Sequence, residues 1–441
     1  MSEPGHWQGR RLHFVGIGGV GMSGLAVVAQ TLGAEVTGSD MAERRSLVRL
    51  RERGVEVALG HAAENVPDGA DVVYSSAVAA DNPERECARA LGRREIRRGE
   101  LLGELSWLRP CVAVGGTHGK TTTAAMIVHV LRDAGERPGY VVGGDLLATG
   151  TNADWGDGPW LVVESDESDR TFLALDADVA VVTNVELDHH REFASLEDVE
   201  DAFRAFLAPA GEAVVWDRPE ILALRDGPVV PFDAPHPALD RGGSRFAWRG
   251  HEVRVGVAGE HNARNAAAAL EACRLVGVDP ARAAGALAGF EGTGRRFEAL
   301  GTTAGGARVY DDYAHHPTAV RATLDAARTL EPERLVAVFQ PHGYHRVQTM
   351  ASGFGDALAC ADLAVVVEDV YAPRGRAERY ADVSTDAIAS AATEATGETE
   401  VVSMPDLRAA ERYLRAELRA GDLCVTLGSG DVDSLARRLV A

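Results

Sequence analysis

Cys111-Val-Ala-Val-Gly115-Gly116-Thr117-His118-Gly119-Lys120-Thr121-Thr122-Thr123 decides the fold. An apolar run that reads as a buried strand enters a glycine-rich turn, and a helical pattern follows as far as Leu131. Strand, loop and helix in that order turn successive backbone N–H groups and the positive end of a helix towards one anion. Lys120 is then set to reach terminal phosphates, and the Thr121 hydroxyl to bind Mg2+. Gly116, Thr117, His118, Gly119, Lys120, Thr121 and Thr122 are therefore read as an ATP-binding loop, although the usual spacing from a first glycine is missing. The competing account is a plain structural turn. Against it stands a count: Lys120 is the only lysine in the chain, and arginine supplies every other basic side chain. An ammonium is a compact charge that fits between phosphate oxygens, where the wide planar guanidinium does not.

Outward from this stretch, apolar runs alternate with helical patterns in both directions, which predicts an α/β protein with parallel, doubly wound sheets. At 441 residues the chain exceeds one hydrophobic core. Three domains are expected, over residues 1–107, 108–294 and 295–441. Strands are predicted near Leu12–Val15, Glu35–Thr37, Val55–Leu59 and Val72–Ser75 in the first domain, and at Leu161–Val163 and Val179–Thr183 in the second. In the third they fall near Arg308–Asp311, Leu335–Phe339, Leu363–Val367, Glu400–Val402 and Leu423–Thr426. A hairpin through Arg245–Trp248 and Glu252–Val255 reads as an insertion or edge of the central domain.

Further polar clusters stand at predicted strand ends, where doubly wound sheets place their ligands. Glu164 opens an acidic loop that runs through Asp166, Glu167 and Asp169, and His189 closes Asn184-Val-Glu-Leu-Asp-His, expected beside Glu164 at the same edge. A carboxylate and an imidazole there suit metal-assisted phosphoryl transfer, against the plainer readings of a solvated loop and a structural histidine. His261 and Asn265 share one face of a helix, where contact with a nucleotide base competes with simple capping. Arg296 in the second linker could stabilise transferring phosphate, and Asp312 and His315 stand at the start of the third domain. In the first domain Gly16, Gly18, Gly19, Gly21 and Ser23 form a glycine loop, with Asp40 closing the next strand. That pattern fits a diphosphate and a ribose, whether in NAD or in a UDP-sugar.

Composition excludes several classes. Forty-five basic against 66 acidic residues give a net charge of −21, which repels nucleic acid and anionic lipid. No apolar stretch reads as a signal peptide or a bilayer span, so a cytoplasmic protein without membrane insertion is expected. Five scattered cysteines with no CxxC pair read as buried structural thiols in a reducing compartment.

Taken together these motifs resemble the Mur ligase family over nearly the whole chain, and its alanine-adding branch most. The resemblance rests on GIGGVGMSG at 16–24, GSD at 38–40, SSAV at 75–78, GTHGKTTT at 116–123, ESDESD at 164–169 and NVELDH at 184–189. It continues through GEHNARN at 259–265, GRRFE at 294–298, DDYAHHPT at 311–318, FQPH at 339–342 and GSGD at 428–431. It implies a Rossmann-like N-terminal domain for the UDP-substrate, a P-loop central ATPase domain and a Rossmann-like C-terminal domain for the amino acid. The activity implied is ATP-dependent joining of L-alanine to UDP-N-acetylmuramate through an acyl phosphate, in peptidoglycan synthesis. Also implied are two Mg2+ per site held by Thr121, Glu164 and His189, with His261, Asn265, Arg296 and Asp312 at the ATP. Gly16, Gly18, Gly19, Gly21, Ser23, Asp40, Ser75 and Ser76 would bind the UDP-substrate, and His315, His342 and Arg346 the amino acid. One departure is Gly343, where the family has arginine after FQPH. The nearest rival is the recycling ligase that adds an intact tripeptide, but its usual tyrosine is Ser168 here. An NAD-dependent oxidoreductase using the Gly16–Gly24 loop is a more distant one.

Several members of the family hold magnesium through a carbamylated lysine, and this chain has no lysine outside the phosphate loop. Its activity should therefore require Mg2+ and ignore bicarbonate. Phosphate release after bicarbonate depletion is the measurement, and recovery on adding bicarbonate back would contradict this account of the metal site.

Overall fold

A computed structural model of the chain describes residues 6–168, 170–190, 192–371, 383–396 and 398–441. It divides into two compact units, one of Met1–Ala234 with Trp248–His251 and Arg264–Leu287, the other of Pro235–Ala247, Glu252–Ala263 and Ala288–Ala441.

The first unit carries two sheets. Strands β1 (Arg11–Val15), β2 (Glu35–Asp40), β3 (Glu56–Leu59), β4 (Asp71–Tyr74) and β5 (Glu95–Arg97) lie in the order β3-β2-β1-β4-β5. Every pairing is parallel, and helices such as Val20–Thr31 and Pro83–Ala90 make the crossovers. Leu12 and Phe14 of β1 pack under Leu25 and Val28 of the Val20–Thr31 helix, and all four are buried. The strand order reverses between β1 and β4, so the loops after these two strands flank the crevice where such sheets bind ligands.

The second sheet contains β6 (Cys111–Gly115), β7 (Gly139–Leu146), β8 (Thr151–Asp154), β9 (Leu161–Glu164), β10 (Val179–Val182), β11 (Glu212–Trp216) and β12 (Val230–Phe232). Their order is β12-β11-β10-β6-β9-β7-β8, parallel except for β7 against β8. All of β6 and β10 is buried, because helices cover both faces; this is why the sequence shows continuous apolar runs there and not alternation. One expectation is corrected. The strands ending at Glu164 and before His189 are not neighbours, since β6 lies between β9 and β10. The phosphate loop is thus flanked on both sides, by the acidic loop and by the Asn184–His189 loop.

In the second unit β13 (Ala238–Asp240), β14 (Gly243–Trp248) and β15 (His251–Val255) make a small sheet, of which Trp248–His251 cluster with the first unit. The larger sheet has β16 (Glu298–Thr302), β17 (Arg308–Asp312), β18 (Arg334–Phe339), β19 (Leu363–Val367), β20 (Glu400–Met404) and β21 (Asp422–Leu427), in the order β16-β17-β21-β18-β19-β20. Only β16 runs antiparallel. It was absent from the sequence reading because Glu-Ala-Leu-Gly-Thr is a largely exposed edge with a register shift at Ala299/Gly301, which leaves no apolar period to detect. Of the cysteines, Cys111, Cys273 and Cys424 are buried as expected, whereas Cys87 and Cys360 are only half-buried. Among the described residues no helix is long and apolar enough to cross a membrane.

Candidate active site

Gly116–Gly119 joins β6 to the helix Lys120–Asp133, whose N-terminus has no side-chain cap. Its orphan N–H groups therefore face the loop. Gly116 adopts φ 124°, and a Cβ there would stand 2.0 Å from Thr183 Oγ1, so only glycine lets the loop lie against the end of β10. Asn184 fixes the loop from that side: its Oδ1 accepts from the His118 N–H at 2.9 Å and its Nδ2 donates to the His118 carbonyl at 2.9 Å. The Thr117 hydroxyl accepts from the Glu186 N–H at 2.9 Å, and the His118 ring lies 3.3 Å from the Glu186 carboxylate. Asn265 closes the far side, with its Oδ1 2.4 Å from where a Cβ on Gly119 would sit.

The Lys120 ammonium donates to the carbonyls of Gly116 at 2.6 Å and Thr117 at 3.2 Å, and to Glu167 Oε2 at 2.8 Å. Burial opposes its charge, but Glu167, Asp166 and Glu164 overcome that and raise its pKa. Asp166 shows the converse: burial would raise its pKa, yet Lys120, Arg98 and His189 hold the carboxyl down at about 2. Thr121 donates its hydroxyl to Glu164 Oε1 at 2.9 Å, and the backbone N–H of Gly143 binds the other Glu164 oxygen. A Cβ on Gly143 would fall 2.4 Å from that oxygen, so β7 must carry glycine for Glu164 to take this place.

His189 lies on the opposite flank with φ 54°, its Nε2 3.5 Å from Glu167 Oε1 and 3.7 Å from Asp188 Oδ2. Burial opposes protonation, but these carboxylates prevail and raise the pKa of the ring. Asp166, Glu167 and His189 each offer a ligand atom, all within 4.8 Å of one another. Glu167 Oε1 is buried without a hydrogen-bond partner, as expected of an oxygen meant for a cation. The residues present therefore fit Mg2+, with Thr121 and Glu164 as one set of ligands and Asp166, Glu167 and His189 as another. Glu167 and Asn184 were inside motifs quoted from the sequence but were not singled out. Nothing in a row of four carboxylates says which one meets Lys120, and Asp169 lies outside the described residues. Gly143 gave no signal, because only the strand order brings β7 to Glu164.

At the switch point, Gly16 and Ile17 donate their N–H groups to the Ser39 carbonyl at 2.9 and 3.0 Å. Asp40 accepts from the Gly18 N–H at 2.9 Å and from the Ala42 N–H at 3.1 Å. Its carboxylate thus shapes the glycine loop. Ser23 is buried and bonds back to the Val20 carbonyl at 3.0 Å, while Ser75 and Ser76 follow β4 across the crevice, Ser75 Oγ capping the Ala77 N–H at 3.2 Å. Beneath the loop lies a polar bracket that the sequence reading missed. The fully buried Glu84 accepts from Ser39 at 2.6 Å and Asn65 at 2.6 Å and lies 3.1 Å from His61. Burial would raise its pKa, but hydrogen bonds from His13, His61, Ser39 and Asn65 hold it far below the carboxylate range.

In the second unit the linker folds onto the end of β17. Arg295 makes an ion pair with the buried Asp311 at 2.9 Å and also donates to the Gly428 carbonyl at 2.7 Å. Arg296 lies over the Tyr313 ring, 5.0 Å from its centroid. Asp312 accepts from the N–H groups of Phe297 and Ala314, both at 2.7 Å, and burial pushes its pKa up to about 6. His315 and His342, from the ends of β17 and β18, come together with ring centroids 5.6 Å apart. Gly343 has φ 77° and begins the Tyr344–Leu358 helix, which carries Arg346 in its first turn. The φ suits glycine and would strain the arginine that the family has there. His261 also falls in this unit.

Three family models match in chain order: the Mur ligase family catalytic domain over residues 11–108, the Mur ligase middle domain over 114–273 and the Mur ligase glutamate ligase domain over 295–430. A UDP-N-acetylmuramate–L-alanine ligase from Chelativorans sp. is 39% identical, with 97% of each chain covered. One from Bradyrhizobium diazoefficiens is 42% identical over 97% of this chain and 96% of its own. The crystal structure of UDP-N-acetylmuramate-alanine ligase from Thermotoga maritima superposes with a TM-score of 0.84 at 29% identity, covering 98% of both chains.

Lys120 donates three hydrogen bonds inside a loop closed by Asn184 and Asn265, which leaves no room for a planar fork. Lys120→Arg should therefore lower turnover by about two orders of magnitude or more while leaving UDP-substrate binding intact. Steady-state phosphate release and titration with the UDP-substrate measure the two effects, and near-normal turnover would refute the role given to the ammonium.

Proposed function

The chain belongs to the Mur ligase family, and from that premise we propose that it joins L-alanine to UDP-N-acetylmuramate at the expense of ATP, in peptidoglycan synthesis. The single observation that carries this reading is the phosphate loop between β9 and β10, with Lys120 at its centre and acidic and imidazole groups on its two flanks.

A carboxylate is a poor electrophile, and its transfer to an amine needs a leaving group. Phosphorylation of the muramoyl carboxylate by ATP provides one, and the alanine amine then attacks the acyl carbon through a tetrahedral intermediate. Gly116, Thr117, His118, Gly119 and Thr122 would surround the phosphates, and the Lys120 ammonium would leave Glu167 to stabilise negative charge on the transferring group. Mg2+, when bound, offsets the repulsion between the phosphates and the incoming carboxylate. Thr121 with Glu164 would hold one ion and His189 with Glu167 and Asp166 a second. Asn265 borders the loop, whereas His261, Arg296 and Asp312 are assigned to the nucleotide by the family resemblance alone.

Gly16, Gly18, Gly19, Gly21, Ser23, Ser75 and Ser76 would bind the UDP-substrate at the switch point, with Asp40 shaping the loop. His315, His342 and Arg346 would receive the amino acid. Domain limits at 107/108 and 294/295, and a cytoplasmic location, belong to the same proposal. The phosphate loop and the three family matches speak for this reading over the oxidoreductase alternative.

Phosphate release from ATP and UDP-N-acetylmuramate, with single amino acids and with a tripeptide side by side, tests this reading. L-Alanine should support the highest kcat/KM by at least about tenfold. A preference for the tripeptide would transfer the chain to the recycling branch.

A further inference from the structure

The mechanism so far leaves unused one carboxylate, sealed beneath the ligand edge of the first sheet. Glu84 stands in the first turn of the helix Pro83–Ala90, which follows β4, and its side chain is fully buried. A carboxylate closed off from water needs compensating donors. They come from separate segments of the chain: the Ser39 hydroxyl on β2, the His61 ring and the Asn65 amide beyond β3, and His13 on β1, whose Nε2 lies 3.7 Å away. Together they keep the group ionised against its burial.

What these bonds hold is the backbone under the glycine loop. The Ser39 carbonyl accepts from the N–H groups of both Gly16 and Ile17, while its hydroxyl donates to Glu84 at 2.6 Å. Ser39 is thus fixed by its side chain and supports the loop by its main chain. The segment beyond β3 is tied to the same carboxylate, and Gly60 at its start donates to the Asp40 carbonyl at 2.9 Å. The next residue of the helix acts on the opposite wall. Arg85 donates to the Val78 carbonyl at 3.0 Å, pairs with Glu95 at 2.6 Å and lies over the Tyr74 ring, 3.8 Å from its centroid. Val78 in turn lies against the glycine loop, its Cγ2 3.6 Å from where a Cβ on Gly16 would sit. One helical turn therefore sets both walls of the crevice, and Asn82 fixes that turn by accepting from the N–H groups of Glu84 and Arg85 at 3.0 and 3.4 Å.

We propose that Glu84 is a positioning residue for the UDP-linked substrate: acting through Ser39, it fixes the backbone of Gly16 and Ile17 so that the glycine loop is formed before the ligand arrives. The inference rests on the UDP-substrate reading of the glycine loop given above. An apolar side chain would fill this spot without the desolvation that a carboxylate suffers, so what the buried charge adds is a fixed position. A loop already in its binding conformation loses less freedom when the ligand enters, and the bracket therefore acts on affinity and not on the phosphoryl-transfer step.

Amide hydrogen exchange on the full-length protein reads this device without any ligand, and steady-state kinetics read its consequence. Glu84→Gln should speed exchange at Gly16 and Ile17 by about tenfold or more, while β6 stays protected. It should raise KM for UDP-N-acetylmuramate by a similar factor, with kcat and the KM values for ATP and L-alanine within about twofold of the unsubstituted protein. Ser39→Ala, a milder change that removes only the hydroxyl, should reproduce both effects and covers the case in which the first variant folds poorly. Combining the two should add little, because both break the same bond. Val73→Ala, which loosens the apolar core of the same sheet, is the control and should leave KM in place. Normal exchange in Glu84→Gln would overturn the proposal, as would an unchanged KM, full additivity with Ser39→Ala, or an equal rise in KM for Val73→Ala. If the unsubstituted protein does not bind UDP-N-acetylmuramate, it is the substrate reading of the glycine loop that fails, and the exchange rates still decide whether Glu84 holds that loop.

Discussion

Lys120 is buried among carboxylates and backbone carbonyls, and that one ammonium sets the terms for everything around it. A lone buried cation would be expelled or neutralised; Glu167, held at 2.8 Å, keeps it charged, and the loop carbonyls of Gly116 and Thr117 complete its donors. In turn Glu167 and Asp166 are tolerated as anions inside a sheet edge because Lys120, His189 and Arg98 face them. The site is a balanced group of charges, with a partner for each as it stands and a different one available when phosphate enters. Bringing ATP to it, as proposed, would exchange one anion around the ammonium for another with little reorganisation.

Strand order makes this balance possible. With β6 between β9 and β10, loops from both neighbours reach the phosphate loop, and Asn184 and Glu164 act on it from opposite sides. The first sheet, with its own switch point, is fixed to the second through Asn152 and the Val20 carbonyl. A linked substrate bound at the first sheet, as proposed, would therefore approach the second along a defined direction, which is how orientation contributes to such a transfer.

Much of this was legible in the chain. Buried parallel strands announce themselves as apolar runs, so β6, β10, β18 and β19 were placed within a residue or two, and the glycines at 116 and 119 with Lys120 marked the turn from β6 into its helix. What stayed hidden depended on tertiary neighbours. The adjacency of β9 and β10 was misjudged because crossover order is not written in periodicity. Gly143 and Arg98 matter only through strands and helices remote in sequence, and the exposed edge β16 had no pattern to read. Asp40 was recognised in the sequence, but the bond from its carboxylate to the Gly18 N–H became visible only in the fold.

The central claim is that this site activates a carboxylate by phosphorylating it, and isotope transfer tests that most directly. UDP-N-acetylmuramate labelled with oxygen-18 in its carboxylate would be turned over with ATP and L-alanine, and the released phosphate analysed by mass. An acyl phosphate loses its bridging carboxylate oxygen with the phosphate when the amine attacks carbon, so one labelled oxygen should appear in each phosphate formed. Phosphate released without label would mean that the carboxylate is never phosphorylated, and the chemistry assigned to Lys120 and its neighbours would be wrong.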